Sequence, residues 1–184
     1  MRKFMSKTAN NKTVAKNKTK KNQSTPLVII GSDHAAFHTK ELIVKTLAKA
    51  GYTIVDVGGF SETIKDDYPV YAKQVAHAVA NEKNTFGILI CGTGTGMAIA
   101  ANKVPGIRAA VAYDAYSAKM ARQDNDANII ALRARKTSSK REAKLALLFL
   151  KEPFSGMPRH KRRINLISKM EAENRNKIKH EQQK

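Results

Sequence analysis

The chain has one cysteine among 184 residues, Cys91, which excludes an internal disulfide framework and any cysteine-cluster zinc site. A lone thiol suits a reducing, cytoplasmic setting. No apolar run approaches the roughly 20 residues of a membrane span, and no secretory hydrophobic region is present. The five histidines show no metal-ligand spacing, so no metal site is expected. Acidic residues are scarce, 15 against 34 Lys and Arg, and the net charge of +19 is unevenly spread. Residues 1–26 carry eight basic residues and no acid; residues 157–184 carry nine against three; residues 27–156 hold seventeen against twelve. The body is therefore only mildly basic. It also lacks an aromatic-interleaved basic surface on which bases would stack, which argues against nucleic-acid recognition by the folded part.

What is present centres on Phe86–Lys103, F-G-I-L-I-C-G-T-G-T-G-M-A-I-A-A-N-K. A buried-strand run delivers Cys91 into a glycine-rich turn, and an alanine-rich helix follows. Glycines let backbone approach a ligand closely, and the first N–H groups of a helix point outward without partners. Oriented N–H groups also favour the thiolate form of a cysteine among them. Such a thiolate can remove a proton beside a carbonyl while neighbouring donors hold the resulting enediolate. A lone cysteine is commonly a small buried hydrophobe, but its place at the mouth of this turn favours chemistry. Nucleotide motifs fail on spacing: G-x-G-x-x-G would need glycine where Met97 stands, and Lys103 is too far from the glycines for a phosphate-cradling G-x-x-x-x-G-K-[ST].

Along the chain, residues 1–26 offer almost nothing to bury and read as a disordered basic extension. Weak polyanion binding or a targeting role is open to them, although Lys and Asn dominate where a transit peptide favours Arg and Ser. Apolar strand runs then alternate with helical patterns. Strands are expected at 27–30, 53–57, 86–90, 108–112 and 128–132, with helices between and a basic terminal helix near Arg159. Ala72, Val75, Ala76 and Val79 fall on one face of the second helix. This alternation predicts an α/β fold, a Rossmann-like three-layer sandwich with a five-stranded parallel sheet. Ligands in such sheets bind beyond the carboxyl ends of the strands. Asp33-His34, Cys91–Gly96 and Arg133/Arg135 all follow strands. Asp33 could equally cap the first helix. His38, His77 and His180 read as surface residues. Arg159 and Arg163, four apart on a helix, would put two guanidinium groups on one side, a good grip for phosphate.

The motifs G-S-D-H-A (31–35), D-Y-P-x-Y-A (67–72), I-L-I-C-G-T-G-x-G-M-x-I-A-A-N-K (88–103), G-I-R-A (106–109), N-D-A-N (125–128) and R-H-x-x-R (159–163) carry a family resemblance. From Leu27 to about Met170 the chain resembles type B ribose-5-phosphate isomerases, the family that includes allose- and galactose-6-phosphate isomerases. The resemblance implies a cofactor-free aldose–ketose isomerase working through a cis-enediolate. By position, Cys91 would be the base between C1 and C2 and Thr93 would assist proton movement at the oxygens. The amides of Gly92, Gly94, Thr95 and Gly96 would stabilise the enediolate. Asp33, His34 and Tyr68 would contact substrate, with Asn125 beside the sugar and Arg135, Arg159 and Arg163 on the phosphate. It further implies a homodimer or homotetramer with each site shared between two subunits. The cysteine leans the reading toward pentose phosphate, since galactose-6-phosphate members typically lack it.

One position departs from the pattern. Many members have histidine before the N-D pair, where it helps open the furanose ring; here the residue is Asp124. An ordinary carboxylate titrates near ~4 and imidazole near ~6.5, so ring opening by Asp124, by His34, or in solution stays open at this point. A 6-phosphohexose substrate, or an inactive isomerase fold serving as a basic nucleic-acid-associated protein, are the alternatives. The expected organisation is a basic extension over 1–26, an isomerase domain over 27–170 and a basic tail over 171–184.

Overall fold

The computed structural model describes residues 25–182; the expected N-terminal extension thus lies almost wholly outside the described residues. Five strands form one parallel sheet: β1 Leu27–Ser32, β2 Thr53–Asp56, β3 Thr85–Cys91, β4 Ala109–Val111 and β5 Ile129–Arg133, in the order β2-β1-β3-β5-β4. The helices are α1 Phe37–Lys49, α2 Tyr68–Asn81, α3 Thr95–Ala101, α4 Ala115–Gln123, α5 Ser139–Lys151 and α6 Pro158–Gln182.

The two-residue strand period assigns each side chain to a face. Val28, Ile30, Ile88, Ile90, Ile130 and Leu132 point to one side and pack with Ile43 and Leu47 of α1, Ala118 and Ala121 of α4, and Ala146 and Phe149 of α5. Ile29, Leu89, Cys91, Ile129 and Ala131 point to the other and meet Ala72, Val75, Ala76 and Val79 of α2 and Met97, Ala98 and Ala101 of α3. Both faces are covered, which is why the central strands read as continuous apolar runs. The result is the three-layer α/β sandwich that the alternation predicted.

Three details differ from the sequence expectation. A 3-10 turn, His34–Ala36, separates β1 from α1; Asp33 occupies its N-cap place, but its side chain makes no capping hydrogen bond. Helix α3 ends at Ala101 and is only seven residues long. Helix α6 runs unbroken past residue 170, so the boundary placed there is not a change of secondary structure. Glycine and proline are absent after Pro158, and the Lys, Glu, Arg and Ala of this stretch sustain a helix. No helix among the described residues is long and apolar enough to cross a membrane.

Strand order sets the location of the site. The chain leaves β1 for β2 on one side and reaches β3 on the other, so the loops after β1 and β3 diverge and open a crevice. Register pairs Ser32 with Ile90 and Cys91 with Arg133, which brings the ends of β1, β3 and β5 side by side.

Candidate active site

Cys91 ends β3 with 5% of its surface exposed. The Gly94 N–H donates to its Sγ at 3.2 Å. Gly94 has φ +81°, and a Cβ there would come 2.9 Å from the Leu132 carbonyl oxygen, so only glycine aims this N–H at the sulfur. The loop after β5 is strapped across the turn: Ala134 N–H donates to the Cys91 carbonyl at 2.9 Å and Arg135 N–H to that of Gly92 at 3.1 Å. Two side chains then lie over the turn's remaining glycines. The Arg135 guanidinium covers Gly92, and the Tyr68 ring covers Gly96. Thr93 and Thr95 are exposed, and Thr95 Oγ1 is 3.3 Å from the Tyr113 hydroxyl.

Beside this turn, at the exit of β1, stand Asp33 and His34. The Asp33 N–H donates to the Ile90 carbonyl at 3.2 Å, tying residue 33 to the strand that carries Cys91. Asp33 is buried, and its Oδ1 has no hydrogen-bond partner among the described residues. Burial pushes its carboxyl up, against the lowering influence of His34 and, more weakly, Arg135. His34 is held by Asp66, whose Oδ1 accepts from the His34 backbone N–H at 2.9 Å and lies 2.8 Å from the ring Nδ1. The Tyr71 hydroxyl donates to Asp66 Oδ2 at 2.8 Å.

The structure thus brings together Asp33, His34, Tyr68, Cys91, Gly92, Thr93, Gly94, Thr95, Gly96 and Arg135. It places Asp124, Asn125, Arg159 and Arg163 elsewhere. Helix α4 begins near the site and runs back along the sheet, so Asp124 and Asn125 lie before the first residue of β5. The length of that strand separates them from Cys91 by about 15 Å. There they form a second cluster. Arg108 donates to the carbonyls of Asn125 and Asp126, and Arg122 Nη1 to Asp126 Oδ1 at 2.7 Å, fixing a turn in which Asp126 has φ 45°. The start of α6 packs here, with buried His160 Nδ1 3.5 Å from Asp124 Oδ1 and 2.8 Å from Ser155 Oγ. Arg159 Nε donates to His160 Nε2 at 3.0 Å, and Arg163 stands exposed one turn on. A cavity of about 960 Å³ opens between residues 102–110, Asn125 and the underside of α6.

Asp66, Tyr71, Tyr113 and His160 are the residues sequence reasoning missed. Tyr71 lay within the D-Y-P-x-Y-A motif and His160 within R-H-x-x-R; nothing local in the sequence singled out Asp66 or Tyr113.

Residues 28–167 match the ribose/galactose isomerase family. The chain belongs to that family. Its relatives include ribose-5-phosphate isomerase B of Escherichia coli, 41% identical over 144 residues, 78% of this chain and 95% of that one. The type B ribose 5-phosphate isomerase structure from Trypanosoma brucei is 45% identical with a TM-score of 0.76, covering 80% of this chain and 99% of that one. The Mycoplasma genitalium ribose-5-phosphate isomerase B, solved with bound ribulose 5-phosphate, is 38% identical with a TM-score of 0.77, covering 82% and 99%. The family match ends within α6, so the outer half of that helix extends beyond it.

Proposed function

We propose that the protein interconverts ribose 5-phosphate and ribulose 5-phosphate through a cis-enediolate, with Cys91 as the base. The observation that carries this reading is the Cys91 sulfur at the end of β3, facing an inward N–H at the root of an open glycine turn. The thiolate takes the proton from C2 of the open-chain aldose, the electron pair moves into a C1–C2 enediol, and the thiol returns the proton to C1. Thr93 moves protons at the two oxygens. The Gly92 and Gly96 amides face the developing oxyanion, while the Gly94 N–H is engaged by sulfur and steadies the thiolate. The Thr95 N–H donates to Thr93 Oγ1 at 3.4 Å, so it reaches the substrate's oxygens through that hydroxyl. Asp33, His34 and Tyr68 hold the sugar, and Arg135 the phosphate.

Asp124, Asn125, Arg159 and Arg163 reach substrate from a second copy of the chain. A homodimer in which each copy's second cluster covers the other's Cys91 turn uses every member of the set. The exposed Leu166, Ile167 and Met170 of α6 supply apolar surface for that pairing. Asp124, backed by His160, then sits at the sugar as the ring-opening group. The substrate of this reading is a phosphorylated pentose of the cytoplasm, supported by the relative solved with bound ribulose 5-phosphate.

The experiment is isomerisation by pure protein with ribose 5-phosphate and the aldohexose 6-phosphates, alongside Cys91→Ala and Asp124→His. Turnover of ribose 5-phosphate that Cys91→Ala reduces by about 10³-fold is expected. A faster Asp124→His variant would mark Asp124 as a weaker ring-opener than histidine. Turnover of a hexose phosphate alone would replace the pentose reading, and no turnover of any sugar would overturn the isomerase.

A further inference from the structure

We infer that Asp66 is a positioning residue for His34, with Tyr71 behind it, and that the pair fixes which ring nitrogen of His34 meets the substrate. The inference rests on the isomerase reading for what the histidine touches. It rests on geometry alone for how the ring is held.

Asp66 lies in the loop between β2 and α2, far from His34 in sequence, yet its Oδ1 grips residue 34 twice, at the backbone N–H (2.9 Å) and at the ring Nδ1 (2.8 Å). Its Oδ2 accepts from Tyr71 at 2.8 Å. Tyr71 is itself wedged: a Cβ at Gly58 would fall 2.1 Å from its ring. Burial opposes ionisation of Asp66, but the hydrogen bonds from His34 and Tyr71 outweigh it and hold the carboxyl below its ordinary value.

An ionised carboxylate only accepts, so His34 Nδ1 must carry a proton to meet it. The Asp66 backbone N–H also faces Nδ1, at 3.4 Å, and would need a lone pair there. The shorter, charge-assisted contact prevails. With Nδ1–H committed, the ring offers Nε2, which has no hydrogen-bond partner among the described residues, on a side chain 29% exposed. Asp33, which feels the charges of both His34 and Arg135, is its neighbour in the crevice. A carboxylate that orients an imidazole through one nitrogen and frees the other is a general device for fixing the tautomer. Since the C1–C2 proton belongs to Cys91, His34 grips substrate equally before and during the chemistry, and its disorder raises KM more than it lowers kcat.

Among the described residues, removing the carboxylate leaves the residue-66 N–H as the one group facing Nδ1, so the proton should move to Nε2. Nitrogen-15 NMR of the imidazoles, on the full chain, is expected to show His34 protonated at Nδ1 in the wild type and at Nε2 in Asp66→Ala. KM for ribose 5-phosphate should rise about tenfold in Asp66→Ala with kcat changed less than about twofold. Asp66→Asn, whose side-chain oxygen can still accept from Nδ1–H, should recover KM to within about threefold of wild type, and Tyr71→Phe should raise it by about the same factor. Circular dichroism verifies folding of each variant. Should Asp66→Ala fail to fold, Tyr71→Phe decides, and an unchanged KM there overturns the inference. So does His34 keeping Nδ1–H in Asp66→Ala, or kcat falling with KM unchanged. Wild-type protein that turns over no sugar phosphate would instead sink the proposed function, and the tautomer comparison would still decide how His34 is held.

Discussion

Arg135 lies across Gly92: a Cβ on residue 92 would stand 3.1 Å from both the Nε and the Cζ of the guanidinium. The side chain proposed to hold phosphate is thereby laid directly over the turn that carries the base. Only the flexible end of Arg135 would be displaced by a methyl group, so Gly92→Ala should fold normally. Its KM for ribose 5-phosphate should rise about tenfold, with a smaller change in kcat. Steady-state kinetics and a melting curve check both halves of that statement.

Asp33 and Asp66 should respond to pH with opposite signs. Burial raises the Asp33 carboxyl above its ordinary 3.8, so folding favours the protonated form. That contribution is present below the unfolded value and is lost as pH rises through the raised folded one. At neutral pH the buried carboxylate costs stability, and Asp33→Asn should melt above wild type at pH 7, the gain vanishing by about pH 4. Asp66 is the reverse case, since its hydrogen bonds lower the carboxyl. Asp66→Asn should melt below wild type at pH 7, and the deficit should close as pH falls through the lowered folded value. Melting curves at several pH values read both. Loss of activity in the more stable Asp33→Asn would show a site residue retained at the expense of stability.

A buried cation supplies a test of the fold away from the chemistry. Lys40 of α1 has no exposed surface, donates to Asp56 at the end of β2, and has the Phe60 ring centroid 4.8 Å from Nζ. Removing the Asp56 carboxylate leaves the buried charge only the longer contact to Glu41 Oε1 at 3.8 Å, whereas removing the lysine leaves Asp56 partly exposed to water and still accepting from the Gly58 N–H. Asp56→Ala should therefore cost about 3 kcal/mol, and Lys40→Met clearly less, by urea unfolding.

The alternation of strands and helices was legible because both faces of the sheet are covered: Ile29, Leu89 and Ile129 on one side and Ile30, Ile88 and Ile130 on the other make each central strand uniformly apolar. The glycine turn was legible for a related reason, since Gly94, with φ +81° and the Leu132 carbonyl beside it, admits no side chain. Pairings across long loops were not. Asp66 meets His34 across 32 residues, and no local pattern announces that contact. Nor does a linear motif say at which end of the sheet it will lie. The motifs put Asn125 and Arg159 in one site with Cys91, shared between two subunits, and the path of α4 back along the sheet puts them at the opposite end within one chain.

That separation makes the two-copy site testable without a structure of the dimer. If each site takes its Cys91 turn from one copy and its Asp124, Asn125, Arg159 and Arg163 from the other, damage to either cluster silences both sites of a homodimer. Cys91→Ala lacks the base but keeps an intact second cluster; an Asn125→Ala, Arg159→Ala double variant keeps the base but lacks the grip. In a mixed dimer one site inherits both defects and the other inherits neither. Co-refolding the two inactive proteins in equal amounts should place half of the molecules in mixed dimers, each with one working site, and return about a quarter of wild-type activity. A site completed within one chain would give no recovery at any mixing ratio, because each copy would carry its own defect. Sedimentation of the mixture separates that outcome from a failure to exchange subunits.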